Sequence, residues 1–308
     1  MDAVAWLLES EEPAVRHLAR RDLLGEADGG DRAEVLEGTA VRALLEGQER
    51  DGGFGGDHYR KWTGTHWRLV ALAELDARAD DPRVAAAAEL VLGWITDDLG
   101  RRRVVDGLPR AHASIHGNAL GACTRLGLAD DPRTERLAEA ILSWQWPDGG
   151  WNCSTKASGR RSSFHESHRT AWGLREYADA TGHAEARAAA DRTAELLLEH
   201  RVFRRSGTGE PIHPRWMRLV YPSYWHYDVL SGLSLLARTA HAADPRAADA
   251  LDHLEAQRGD DGRWRPQARW WGPPTSRSGP DVVDWGRPSR LSPMLTLTAL
   301  RVLRAAGR

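Results

Sequence analysis

Cysteine is scarce in this chain. The two present, Cys123 and Cys153, supply no disulfide framework, so a reducing, cytoplasmic setting is expected. Phenylalanine and tyrosine are also rare, at 3 and 5, against 14 tryptophans, so any aromatic packing must be built mainly from indoles. No apolar run approaches the roughly 18 residues of a membrane span. The opening residues Met1-Asp2-Ala3-Val4-Ala5-Trp6 lack the basic and apolar regions of a signal peptide. A formal net charge of -2 removes the basic footprint of a nucleic-acid binder. Strand-like alternation is almost absent, which leaves helices to bury the 41% of the chain that is hydrophobic. Residues 1–308 are expected to form one closed domain.

What is present is repetition. Gln48-Glu49-Arg50-Asp51-Gly52-Gly53-Phe54 recurs in kind as Gln145-Trp146-Pro147-Asp148-Gly149-Gly150-Trp151. It returns as Gln257-Arg258-Gly259-Asp260-Asp261-Gly262-Arg263-Trp264. Glycine just past a helical pattern is a stop signal, and the indole can cover the helix end. A second element, Asp-Pro-Arg, stands at residues 81–83, 131–133 and 244–246, where Asp is an N-cap and Pro takes the first helical position. The unit reads Asp-Pro, helix, glycine turn, loop, helix, with a period of about 50 residues.

Helix start and stop signals give about twelve helices, near 2–9, 13–24, 31–48, 64–78, 83–97, 113–127, 132–145, 165–180, 184–200, 226–240, 244–257 and 290–306. Twelve alternating helices make six hairpins, so the expected fold is all-α: an (α/α)6 barrel, or toroid, of two concentric rings. The inner ring is assigned to the helices that follow the glycine turns. The long loops at 100–112, 201–225 and 265–289 then enter on the face where inner helices begin, and long loops are commonly functional.

The glycine turns resemble the Gln…Gly-x-Trp repeat of the terpene cyclase and protein prenyltransferase toroid family, on Gln48…Gly53-Phe54, Gln145…Gly150-Trp151 and Gln257…Gly262-Arg263-Trp264. The resemblance spans most of the chain. It implies an α/α toroid and an isoprenoid substrate in its centre. The Asp-x-Asp-Asp acid motif of squalene-hopene-type cyclases and the Asp-Asp-x-x-Asp magnesium motif of ionising synthases do not occur. Prenyltransferase β subunits bind zinc through Asp, Cys and His. The counterpart implied here is Cys153, His165 and His226, with Asp228 as a fourth candidate in Tyr224-Trp225-His226-Tyr227-Asp228-Val229-Leu230-Ser231-Gly232-Leu233.

Independently of the resemblance, polar residues gather where inner helices start. These are Tyr59, Lys61, Trp62, His66 and Trp67; Arg110, His112, His116 and Asn118; His165, Glu166 and His168; Trp225 to Asp228; and Arg290 with Ser292. A concave ring of titratable groups marks a candidate site. Asp228 and Glu166 are the acid/base candidates, with His226 and His165 beside them. Each carboxylate also suits the first turn of a helix through the dipole alone. Trp62, His66, Trp67, His116, Trp172, Trp225 and Tyr227 are candidates to line the cavity, since indole faces stabilise cations. Arg160, Arg161 and Lys156 are placed to hold a diphosphate.

The expected activity is therefore cyclase- or prenyltransferase-like chemistry on a hydrophobic, isoprenoid molecule, acid-assisted or zinc-assisted. Two other classes stand beside it: a glycan-processing (α/α)6 barrel using Glu166 and Asp228 as a carboxylate pair, and a non-catalytic ligand-binding toroid.

Overall fold

The computed structural model describes residues 2–26, 32–97, 99–100, 102–276 and 279–308. Among the described residues twelve α-helices follow one another: α1 (Ala3–Leu8), α2 (Pro13–Ala19), α3 (Thr39–Leu45), α4 (Thr65–Glu74), α5 (Pro82–Thr96), α6 (Ala113–Cys123), α7 (Pro132–Ser143), α8 (Phe164–Thr181), α9 (Ala184–Glu199), α10 (Val229–Arg238), α11 (Ala248–Ala256) and α12 (Pro293–Ala305). Among the described residues the only sheet is a two-stranded antiparallel hairpin, β1 (Arg103–Val105) with β2 (Leu108–Arg110). No described helix is long and apolar enough to cross a membrane.

The even-numbered helices pack in sequence, α4 on α6, α6 on α8, α8 on α10 and α10 on α12, and α12 returns to α2. His17 of α2 completes the circuit, its Nε2 lying 2.8 Å from Asp76 Oδ2 just beyond α4. The odd-numbered helices form the outer ring, with α5 against α7 and α7 against α9. Burial follows this division. On α8, residues 166–174 are all buried, whereas α7 buries only Thr134, Leu137, Ala138 and Ile141 and leaves the rest part-buried or exposed. The expected all-α toroid with inner helices after the glycine turns is what forms.

The closest approach is between α6 and α8, and glycine permits it. A Cβ on Gly117 would lie 2.3 Å from Thr170 Cα, and one on Gly173 would lie 2.1 Å from Gly117 O. Any side chain at either position would push the two helices apart.

The repeat turns share one construction. Gly52 and Gly149 take φ of +89° and +90°, and a Cβ there would strike the backbone oxygen of Ala86 or Arg192 at 2.6 Å. Gln48 Nε2 donates to Gly52 O (3.0 Å) and to Arg83 O (2.8 Å) at the start of α5. Gln145 Nε2 repeats this with Gly149 O (3.0 Å) and Ala189 O (2.9 Å) on α9. Each glutamine thus closes its own turn and ties it to an outer helix. In the third turn the register shifts by one: Arg258 Nε, not Gln257, donates to Gly262 O (3.2 Å). The indoles repeat too. Trp151 Nε1 donates to Ile141 O (3.0 Å) and Trp264 Nε1 to Leu254 O (2.8 Å), with 1% and 0% of each residue exposed.

Asp81, Asp131 and Asp244 cap their helices as expected, each accepting the N–H of the Arg two residues on, at 2.8 Å. Arg133 and Arg246 continue outward to Glu89 and Glu195 on the neighbouring outer helices. Some helix boundaries differ from expectation, with α4 ending at Glu74 rather than 78 and α12 beginning at Pro293 rather than 290. The segment expected at 31–48 breaks at Gly38 into a 3-10 turn and α3 (Asp31 lies outside the described residues), because Glu12 fills the space beside Gly38 and accepts the Ala40 N–H. The helix expected from 226 begins at Val229, since Asp228 is its cap.

A candidate acid site in the central cavity

The six inner helices enclose a cavity of about 340 Å³, and every one of them contributes to its wall directly or through its carboxyl-terminal extension. The apolar surface includes Trp172, Leu230, Leu235, Met294 and Val302, with Val220 and Tyr221 of the loop before α10. Four polar atoms of residues in that wall are buried and have no hydrogen-bond partner: Asp228 Oδ2, His168 Nε2, and Nε and Nη2 of Arg301, whose guanidinium is ion-paired with Asp22.

Asp228 owes its position to helix capping. Its Oδ1 accepts the Ser231 N–H at 2.7 Å while Ser231 Oγ accepts the Asp228 N–H at 2.9 Å, a reciprocal capping box at the start of α10. One carboxyl oxygen is spent on the cap and the other is left over. The residue is 1% exposed. Burial pushes its pKa up to about 7, against the opposing pull of the Ser231 N–H and hydroxyl and of the nearby Val220 and Leu230 backbone N–H groups.

His168 is fixed by the preceding turn of its own helix. Its Nδ1 lies 2.9 Å from Phe164 O. A carbonyl only accepts, so Nδ1 carries the proton and the lone pair sits on Nε2. Burial, with Arg169 adding to it, holds this imidazole neutral by lowering its pKa well below the usual value.

At the carboxyl-terminal ends of the inner helices the lining changes character. Arg21, Arg125, Arg169, Arg238 and Arg301 meet Asp22, Glu74 and Glu176, five guanidiniums against three carboxylates, with Asp76 behind them. Arg301 pairs with Asp22, Arg238 with Glu176, Arg169 with Glu74 at 3.0 Å and Arg21 with Asp76 at 2.9 Å. The cavity meets solvent on this side, where the Arg238 side chain is 46% exposed.

The amino-terminal side is closed by aromatic rings. Trp62 stacks on Tyr224 at 4.0 Å, with Trp67 edge-on to both, and His226 is sandwiched between Trp225 (3.9 Å) and Trp270 (3.7 Å). Tyr224, Trp225 and Trp270 come from the two long loops, joined by Gln267 N–H to Leu219 O at 2.9 Å. Trp62 Nε1 donates to Trp270 O and Trp67 Nε1 to Tyr59 O. His66, fully buried, has neither ring nitrogen bonded, and burial lowers its pKa to about 3. His226 is likewise lowered to about 3, by burial and then by His165 and Lys61.

Of the residues expected to line the cavity, the structure places only Trp172 there, and Arg169 already covers one of its faces at 4.1 Å. Trp62, His66, Trp67 and Trp225 belong to the aromatic closure. Tyr227 is packed among Phe164, His168 and Trp216, with its hydroxyl bonded to Val202 O at 2.6 Å. His116 Nδ1 faces His112 O and its Nε2 faces Arg102. His165 Nδ1 accepts the Tyr227 N–H at 2.8 Å. Arg160, Arg161 and Lys156 sit on an exposed loop, with none of them in the cavity wall. Glu166 and Asp228 do not face a common space. Asp228 lines the cavity, while Glu166 turns to Ser114 N–H (2.9 Å) and His112.

The expected ligand set also parts company. Among the described residues, Cys153 is not brought together with His165 and His226. The group that converges is His112, Cys153 and Glu166, with one ligand atom from each lying within 4.8 Å of the others. His112 is pushed up to about 10, first by Cys153 and then by Glu166. Burial would raise Glu166, but the bonds from His112, Ser114 and Cys153 outweigh it and hold its pKa below the usual value.

The ionic rim was legible only in hindsight. Arg125 and Arg238 each stand six residues before an Asp-Pro-Arg, at Asp131 and Asp244, so the rim has its own repeat position in the last turn of inner helices.

No family model matches the chain, and no curated protein does. Among solved structures, a protein from Actinoplanes is similar at 19% identity and a TM-score of 0.44, over 99% of this chain and 88% of that one. The type II terpene cyclase MstE from Scytonema is similar at 15% identity and a TM-score of 0.32, over 87% and 96%. A variant of that cyclase bound to geranylgeranyl dihydroxybenzoate scores 0.30 at 14% identity, over 87% and 95%. Likeness at this level carries no weight for function, and the fold stands on the chain's own helix contacts. The class those contacts define is an all-α toroid with a central cavity.

Proposed function

We propose that this toroid is an enzyme that protonates a small, largely hydrophobic, isoprenoid-type molecule in its central cavity. The observation that carries the reading is Asp228: a buried carboxyl, pushed up to about 7, with Oδ2 unpartnered in the cavity wall. A carboxyl with a pKa near the working pH holds its proton yet can release it. Asp228 donates that proton to a carbon–carbon double bond, and the resulting carbocation rests against Trp172 and the aliphatic wall. His168 Nε2, neutral and unbonded, takes a proton back when the product forms, so the step balances with one proton in and one out.

The volume of about 340 Å³ lies at the small end of ligand pockets, which span about 300–1,000 Å³. The excess of guanidinium at the open rim suits a substrate with an anionic end, such as a prenyl diphosphate, its hydrocarbon directed inward. Glu166 and Asp228 face different surroundings, so nothing in the site favours a glycan-processing pair.

The test is incubation with geranyl, farnesyl and geranylgeranyl diphosphate in deuterated water, with products analysed by mass spectrometry. The expected product carries solvent deuterium and retains its diphosphate. Asp228→Asn is expected to keep the fold and lose turnover by about a hundredfold. Absence of product from all three, or full deuterium incorporation by the Asn variant, overturns the reading.

A further inference from the structure

We infer that His112, Cys153 and Glu166 form a mononuclear site for zinc or a similar thiophilic divalent metal, on the amino-terminal face of the ring and outside the central cavity. Three separate segments bring them together. Ala111 N–H donates to Asn152 O at 3.2 Å, which clips the chain before α6 alongside the chain after the Trp151 turn. His112 and Cys153 follow immediately on these two segments. Glu166 stands in the first turn of α8 and is 6% exposed. Its Oε2 is anchored by Ser114 N–H at 2.9 Å, which leaves Oε1 facing His112 Nδ1 at 3.6 Å.

The shape of the cluster separates two chemistries. A nucleophile relay of Cys, His and Glu is linear. Its sulfur and carboxylate bond to opposite sides of one imidazole and so stand about 7 Å apart or more. Here one donor atom from each residue lies within 4.8 Å of both others, which is a triangle. A metal with bonds of about 2.0–2.3 Å in a tetrahedron places its ligands about 3.4–3.7 Å from one another, so the 3.6 Å edge between Nδ1 and Oε1 fits without rearrangement. Thiolate, imidazole and carboxylate together select zinc or cobalt over magnesium or calcium, which prefer oxygen alone. Three protein ligands leave one position free. The His112 side chain is 70% exposed and Cys153 half-buried, so that position faces solvent, as in open zinc sites.

The experiment loads untagged, chelator-stripped protein with cobalt(II) and records its absorption, with elemental analysis of protein grown in zinc. Expected are about one zinc per chain, thiolate-to-cobalt charge transfer in the near ultraviolet and intense tetrahedral bands in the visible. Cys153→Ser should abolish the charge-transfer band, and His112→Gln should lower the metal content at least tenfold, both with unchanged helical circular dichroism. Cys123 is fully buried, so the band reports Cys153 alone. A wild-type protein without the thiolate band, or a Cys153→Ser protein that keeps it, overturns the assignment. So does equally fast alkylation of Cys153 with and without added zinc, because a bound thiolate is shielded.

Discussion

The two ends of the inner ring are built from the same helices and use opposite chemistry. At the amino-terminal end, indole and imidazole rings stack with little charge, and His66 and His226 are held neutral. At the carboxyl-terminal end, guanidiniums alternate with carboxylates and meet water. Helix dipoles explain part of this difference. Six amino termini pointing one way disfavour protonated histidine where no acidic partner answers it, as Cys153 and Glu166 do for His112, and six carboxyl termini favour arginine in the last turn. The long loops explain the rest, since residues 201–225, 265–276 and 279–289 cover the amino-terminal end and leave the other open. A site between the two ends has a dry floor and a wet entrance, and burial at that floor is what raises Asp228.

The largest effect that would break the comparison is at the aromatic end. Trp62→Ala should destabilise by about 3–5 kcal/mol in denaturant unfolding, because a fully buried indole leaves a cavity. A change within about 0.5 kcal/mol would make that end a surface cluster.

The next concerns Asp228 and its sign. Its pKa is about 7 folded against 3.8 unfolded, so the folded state binds the extra proton. Stability from this group is full below about pH 4 and is lost as pH rises to about 7. Asp228→Asn has no such loss. Its stability relative to wild type should climb across that window by on the order of 4 kcal/mol and level off above it. A flat difference between pH 4 and pH 8 would mean the carboxyl is solvated.

The ionic end gives the third test. Arg301→Met should cost about 2 kcal/mol at neutral pH by removing one of the two guanidiniums on Asp22, Arg21 remaining at 2.7 Å, and less as Asp22 is protonated toward acid pH. A pH-independent cost would show that the guanidinium acts through packing. The smallest effect is Arg258→Ala, about 1 kcal/mol for the bond to Gly262 O, with Arg258→Gln within about 0.5 kcal/mol because glutamine holds this place in the other two turns.

The ring architecture was legible because it rests on local signals that repeat: caps at Asp81, Asp131 and Asp244, and positive-φ glycines at Gly52 and Gly149. The third turn deceived by one residue, since Gln257 and Arg258 both offer an N–H donor and only geometry selects between them. The site was legible by position along the chain but not by direction. Glu166 and His168 are two residues apart, about 200° around α8, so one faces α6 and the other the cavity. Helix-mouth histidines looked like ligands, yet His226 is held between two indoles and His165 by the Tyr227 N–H. Those partners come from loops with no periodicity to follow.

The return of α12 to α2 has a consequence for how the molecule opens. In a linear stack of repeats the end unit frays by breaking one interface, so stability declines toward the termini. In a closed circuit no inner helix can leave without severing contacts on both its flanks. Amide exchange in the inner helices should therefore follow one common opening free energy, with α2 and α12 protected as well as α6 and α8, rather than a gradient along the chain.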